Sequence, residues 1–330
     1  MLINRVDAII KPASGRPTSK LCYNYVSQTL EIFFMTLDRF APAIFVFLWS
    51  TGWIIAKYAS LHSEPFSFLV IRYALSAVVF CAISLAIRAK WPKGALAWRA
   101  IYSGIFLHGF YLGGVWWAVA HGVPAGISGI IAAMQPLLTA LAANAIIGER
   151  LRSSQTAGLA LGFVGIALAI SPKLMQPGTS DLLHAGIPLA VNLAAMFAVT
   201  FGTIYQKKHL QNGDLTAIAT LQYLGALGLT APFALVFETF RFDGTLETYA
   251  ALAWSVFGIS VGGIALLLYL IRRGQVSRAA SLIYLCPPTV AIQALVAFGE
   301  PLTPLLIVGT MIVAVGVYLT NRKARLVAKA

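Results

Sequence analysis

The segment AGISGIIAAMQPLLTALAANAIIGERL, residues 125–151, returns in altered form as SRAASLIYLCPPTVAIQALVAFGEPL, residues 277–302. Shifting the second half back by 151 residues brings Pro287 onto Pro136, Gly299 onto Gly148, Glu300 onto Glu149 and Leu302 onto Leu151. The same shift sets Gly309 on Gly158 and Gly316 on Gly165 without a gap. With a shift of 150, Gly202 meets Gly52, Lys207 meets Lys57 and Tyr223 meets Tyr73. A constant register through proline, Gly-Glu and two spaced glycines marks an internal duplication.

Each copy is rich in apolar runs. A bilayer core of roughly 30 Å needs about 20 mostly apolar residues as helix. Such stretches fall near 40–60, 66–87, 97–119, 124–147, 153–171, 184–206, 215–237, 249–271, 276–298 and 303–321. Five per copy is an odd number, so the second copy must enter the membrane upside down. The expected fold is an all-α polytopic membrane protein of ten transmembrane helices, arranged as two inverted five-helix repeats. Expected boundaries are a cytoplasmic N-terminal tail at 1–39, repeats at 40–171 and 184–322, and a cytoplasmic C-terminal tail at 323–330. Inverted repeats around a midplane site are a signature of secondary carriers.

Composition agrees. Of 330 residues, 59% are hydrophobic and 11% charged, with a mean hydropathy of +0.80. A soluble domain carries roughly a quarter charged residues, so a soluble enzyme and a disordered chain are excluded. The net charge of +13 does not indicate nucleic acid, because the basic residues lie in short loops between apolar runs. With the N-terminus inside, twenty Lys and Arg fall on the inner side and two, Lys173 and Arg241, on the outer. Lys57 and Arg72 lie in or at the edge of spans. Both termini are therefore expected in the cytoplasm. Residues 1–34 hold Arg5, Asp7, Lys11, Arg16 and Lys20 and offer no signal-peptide core. They read as a cytoplasmic tail, or as the product of an upstream start with Met35 the true initiator.

The two quoted segments resemble the EamA-type drug/metabolite transporter superfamily. Both show a mid-helix proline, a terminal Gly-Glu and a following glycine-rich helix, and FLWSTGWIIAKYA with EPFSFLVIRY is similar to that family's first two helices. The resemblance covers residues 40–322. It implies alternating access in a bacterial inner membrane and export of amino acids, other metabolites or drugs, and it points toward the aromatic-amino-acid exporters. The alternatives are efflux of hydrophobic drugs or quaternary cations, or a non-transporting scaffold or channel.

Candidate site residues follow from polarity and aromaticity inside spans. Trp49 and Trp53 lie four apart on the first span; His108, Tyr111 and Val115 share a face of the third, with Trp116 at its edge and Trp117 opposite. Tyr284 lies on the ninth. Trp53 suits an interface anchor or a cavity wall equally, whereas Trp49, His108 and Tyr111 lie deeper and read as aromatic lining. Arg72 could pair with a substrate carboxylate, or snorkel to headgroups as scaffold. Gln135, Asn192, Gln222 and Gln293 could line a cavity or bond neighbouring helices. Pro136, Pro287 and Pro288 are candidate helix breaks that free backbone carbonyls. Ala125, Gly129, Ala132, Ala133 and Pro136 form a small-residue stripe that also suits tight packing. Glu149 and Glu300 read as structural caps on the helix that follows each.

The absences narrow the chemistry. None of the eleven Asp and Glu residues falls clearly within a span. His108 is the one mid-span group whose ordinary pKa is near neutrality, so it could cycle a proton or be a hydrogen-bonded core residue. Cys22, Cys81 and Cys286 are scattered, arguing against a metal site or disulfide framework. No GxxxxGK[ST] or HExxH run is present. The expected partners are a small-molecule substrate and the lipid bilayer, with no nucleic acid, metal, cofactor or enzymatic activity. One chain could contain the whole pathway.

Overall fold

The computed structural model describes residues 17–147, 153–174, 182–211, 213–272 and 285–321. Among them the chain is all helix, apart from one isolated antiparallel bridge between Ser63 and Phe242. Helix α1 runs Pro17–His62 and α2 Pro65–Ala86. Helix α3 covers 95–120, built from Ala95–Gly104, a π-helical segment Ile105–Phe110 and Tyr111–Ala120. Helix α4 covers 125–147 in two pieces, Ala125–Ala132 and Met134–Ile147. Helices α5, α6 and α7 are Ser153–Leu174, Leu182–His209 and Leu215–Phe237. Helix α8 covers 246–272, with a second π-helical segment, Trp254–Gly262, between Leu246–Ala253 and Gly263–Arg272. Helices α9 and α10 are Cys286–Phe298 and Pro304–Asn321.

Among the described residues, six stretches are long and apolar enough to cross a membrane: Phe40–His62, Pro65–Ala86, Ser153–Pro172, Gly186–His209, Leu215–Phe237 and Leu246–Leu266. Ala125–Thr139, Cys286–Phe298 and Pro304–Thr320 are shorter apolar helices. The molecule is a multi-pass membrane protein. Residues 17–39, expected as a tail, are helical and run on into the first span. No glycine, and no proline after Pro17, interrupts them before Pro42, so nothing there stops a helix.

Proline shapes α4. Pro136 lacks an N–H and its ring crowds the carbonyl one turn back, and α4 parts at Ala133, three residues before it. Pro287 and Pro288 instead occupy the first turn of α9 as described. Proline is tolerated there because that N–H has no intrahelical partner. The break expected at this pair would involve the segment before Leu285, which lies outside the described residues. The small-residue stripe of α4 is a packing face: a Cβ on Gly129 would stand 2.8 Å from Val290 of α9.

The most extensive helix pair is α5 against α10, and glycine explains it. A Cβ on Gly158 would stand 2.5 Å from the Gly316 carbonyl oxygen, and one on Gly316 2.6 Å from that of Gly158. Gly165 and Gly309 meet in the same reciprocal way, at 2.7 and 2.5 Å. No side chain fits where backbone touches backbone, and membrane helices gain from such close approach. These glycines, repeated in the sequence, form a fixed seam.

Carboxylates hold the helix ends together. Glu238, just after α7, accepts from Phe66 N–H at 2.9 Å, from Ser67 N–H at 2.6 Å and from the Ser67 hydroxyl at 2.7 Å. It thereby caps the start of α2. Glu64, just before α2, accepts in turn from the N–H groups of Thr239 and Arg241 at 2.9 and 2.8 Å. Beside this reciprocal clasp Asp243 accepts from the Thr248 hydroxyl and meets the His62 ring at 2.6 Å. The Thr248 hydroxyl first, then the Thr245 amide and His62, lower the Asp243 pKa to about 2. Glu300 accepts from Ala125 and Gly126 N–H at 3.0 and 3.1 Å. It does cap a helix, but the helix is α4 of the other half, not the α10 that follows it. The cause is local: α4 begins beside the α9–α10 turn with its first N–H groups unpaired. Glu149 lies outside the described residues.

Two substitutions check these contacts. Gly165→Val should destabilise the detergent-purified protein by about 3 kcal/mol, read as a fall in melting midpoint. Gly52→Ala, where an added Cβ meets nothing within 4 Å, should leave it unchanged. Glu238→Ala removes a charged cap and should lower stability by about 1–2 kcal/mol. An unaltered midpoint in that variant would refute the clasp.

Candidate functional site

The two π-helical segments fall at equivalent places. Moved by 151 residues, Ile105–Phe110 lands on 256–261, inside Trp254–Gly262. A π turn carries an extra residue, misaligns backbone hydrogen bonds and is frequent at functional sites. In α3 the His108 carbonyl, at this irregularity, accepts from the Tyr73 hydroxyl of α2 at 2.8 Å. In α8 the Ser260 hydroxyl reaches back to the Ser255 carbonyl at 3.1 Å.

Between these segments lies Arg72 of α2, only 4% exposed. Its Nη2 is 3.5 Å from the Ser260 hydroxyl, and its Cζ stands 5.7 Å from the centre of the Trp116 ring. Its Nε has no hydrogen-bond partner, and no carboxylate pairs with it among the described residues. Snorkelling, one reading of this residue from sequence, is overturned: the head is enclosed by α3 and α8 and does not reach the surface. The Ser76 hydroxyl is 3.5 Å from that of Ser260, and Tyr223 of α7 neighbours both. Trp116, expected as cavity lining, is 2% exposed and packs on Phe68 with ring centres 5.1 Å apart. It serves as the floor under Arg72.

His108 belongs to the same cluster. Its ring stacks on Tyr223 at 4.6 Å and 13°, and Tyr223 stacks on Phe80 at 5.8 Å and 15°. Tyr73 leans on the column, 6.0 Å from Tyr223. Sequence reasoning missed the tyrosines as site residues, although their 150-residue spacing was visible. Arg72 and Gln222 share that spacing, and Gln222 donates to the Ser103 hydroxyl of α3 at 2.9 Å. At these equivalent positions each half sends a polar side chain to a serine on a helix of the other.

The remaining candidates are dispersed. Tyr111 lies beside Cys286 of α9, which in turn meets Ser50 of α1. Trp53 is buried, with its indole N–H unpartnered, whereas Trp49 is 39% exposed against Phe45. That order reverses the one expected from depth along the helix, because rotation about α1 decides burial here. Asn192, fully buried, donates to the Ser128 hydroxyl at 2.7 Å, and Gln135 to Thr203 at 3.3 Å. Both tie α4 to α6. The Gln293 amide is buried without a partner. Tyr284 lies outside the described residues. No group of three His, Cys, Asp or Glu gathers among the described residues.

One opening contains none of these candidates. It is a cavity of about 870 Å³ between α3, α6 and α7, lined by Phe106, Phe110, Trp117, Ala198, Phe201 and Phe233 among others. Trp117, read from sequence as facing away from the site, is part of its wall.

Comparison with known proteins fits this architecture. The chain is similar to a Salmonella typhimurium protein named "Probable amino-acid metabolite efflux pump", 26% identical over 86% of this chain and 94% of the relative. An Escherichia coli protein of the same name is 24% identical over the same shares. A Streptantibioticus cattleyicolor protein named "Probable terminal-alkyne amino-acid exporter" is 27% identical over 63% of this chain and 67% of its own length. A solved crystal structure superposes with a TM-score of 0.60 at 19% identity, covering 87% of this chain and 96% of that one, which shows the shared fold. The profile of the EamA-like transporter family matches residues 40–171 and again 185–322. Two matches that together span most of the sequence settle the kinship: the chain belongs to the EamA-like transporter family.

Proposed function

We propose that this protein is a secondary exporter of small carboxylate-bearing metabolites, amino acids foremost, with neutral and aromatic ones favoured. It works in a bacterial inner membrane by alternating access between two inverted five-helix repeats, with both termini cytoplasmic. The reading rests on the family, on the names of the relatives and above all on Arg72. A charge enclosed in apolar surroundings is costly unless paired, and here no acid of the described chain supplies the pair. A substrate carboxylate would, by accepting two parallel N–H bonds from the guanidinium edge. The Trp116 ring holds the guanidinium plane from one side, as a cation–π contact does. The Phe80–Tyr223–His108 stack beside it suits a ring-bearing side chain.

The same geometry supports a mechanism. Arg72 is closed off in this conformation, so substrate reaches it only when helices part. The two π segments and the α4 break at Ala133 are points where backbone hydrogen bonds are already incomplete and bending costs least. The reciprocal α5–α10 seam and the equivalent π segments support an inverted pair of halves, in which one opens as the other closes. A cationic drug would meet repulsion at Arg72, which favours the carboxylate reading over cation efflux.

Two measurements test this. In proteoliposomes, labelled phenylalanine should show saturable uptake that unlabelled amino acids block and a quaternary ammonium compound does not. Arg72→Gln, at unchanged membrane level, should lower that uptake at least about 30-fold, the cost of about 2 kcal/mol or more for breaking a buried charged pair. Arg72→Lys keeps the charge but not the fork and should fall between. Full uptake by Arg72→Gln, or transport of the lipophilic cation alone, would overturn the carboxylate site. Separately, a reporter fused after Ala330 should behave as cytoplasmic; a periplasmic signal would break the inverted-repeat topology.

A further inference from the structure

The 870 Å³ cavity between α3 and α6 has a continuation that the transport reading does not use. A ladder of rings leads from it along both helices. Phe110 meets Phe106 at 5.4 Å, Phe106 meets Phe201 at 4.7 Å and Tyr102 meets Phe106 at 5.1 Å. Tyr102 also meets Tyr205 at 5.1 Å, and Tyr205 meets the His209 ring at 4.6 Å. The ladder ends at cations. Arg99 and Lys208 flank His209 closely enough for their charges to act on its ring. Both are exposed, and neither has an acidic partner among the described residues. Trp98, beside Arg99, is 72% exposed, the placement of an aromatic anchor at headgroup level.

We propose that this groove seats an anionic phospholipid of the leaflet on the lysine- and arginine-rich side. Its phosphate lies against Arg99, Lys208 and His209, and one acyl chain follows the ladder into the cavity. Several observations select this occupant. The groove opens sideways, with Phe110 44%, Phe197 61% and Phe201 43% exposed, so it faces the bilayer and not a sealed pathway. Its wall is almost wholly apolar, Thr230 carrying the one hydroxyl side chain of its lining. The dimensions agree: Arg99 to Phe106 is about 10 Å along a helix, and a leaflet's hydrocarbon is roughly 15 Å deep. A chain hanging from the cationic end therefore reaches the cavity. Basic pockets between membrane helices on the cytoplasmic side recognise anionic headgroups in this way.

The test reads lipid binding and not transport, so it stands or falls apart from the amino-acid assignment. Purified full-length protein in detergent is titrated with phosphatidylglycerol or phosphatidylcholine of identical chains, and retained lipid is counted by native mass spectrometry. One phosphatidylglycerol should be retained with about tenfold preference. The double variant Arg99→Gln, Lys208→Gln changes only surface charge and should abolish the preference. Ala198→Trp, which fills the cavity floor, should lower retention of both lipids. Equal retention of the two lipids by the unmodified protein, or an undiminished preference in the double variant, would overturn the headgroup site. Undiminished retention by a folded Ala198→Trp would overturn the acyl seat. A protein dimer that dissociates on Ala198→Trp would assign the groove to a second copy of the chain instead.

Discussion

Hydrocarbon supplies no hydrogen bonds, so every irregularity in a membrane helix must find its partner inside the protein. Much of this structure follows from that demand. The first N–H groups of α2 are met by Glu238 and those of α4 by Glu300, in each case a carboxylate from elsewhere in the chain. The carbonyl displaced by the π segment of α3 is met by Tyr73. Within helices, Ser50, Thr203, Thr310 and Thr320 turn their hydroxyls back on carbonyls one turn earlier. The Nε of Arg72 is among the exceptions, with the Trp53 indole N–H and the Gln293 amide, and it is the one that carries a charge.

The fold was largely legible because a bilayer enforces simple rules. Length and hydropathy identified the long helices, the resemblance of the repeated segments pointed to the family, and the register singled out glycines that the structure brings together in a seam. What stayed hidden depends on rotation and on neighbours distant in sequence. Trp49 and Trp53 look alike on a linear map, yet one is exposed and the other buried, because the side that α1 presents to its neighbours is set by all of them together. Glu300 was recognisable as a cap, but its helix lies 175 residues away. The π segments carry no proline, and no periodicity argument marks them. Arg72 illustrates the limit best: its rarity inside a span drew attention, while its company of Trp116, Ser260 and Tyr223 comes from three other helices.

Two apolar environments therefore do different work in one small protein. Around Arg72, side chains close on each other and exclude water and lipid, which strengthens any charge-assisted bond formed there. Between α3 and α6 the side chains stay apart and leave an open aromatic trough. The two meet at α3, whose π segment carries His108 in the stack on one side and Phe106 and Phe110 in the trough on the other. Whatever fills the trough presses on the helix that borders the arginine.

The unequal pair at 72 and 222 gives the two halves different charges. Two identical five-helix subunits, assembled head to tail, could present two arginines at this level or none. Two would repel each other across a dry interior, and none would leave a carboxylate unrecognised. Joining the halves in one chain let them diverge, and glutamine at 222 preserves the tether to Ser103 without the second charge. Under the proposed function, the centre offers a carboxylate one cationic side chain and not two.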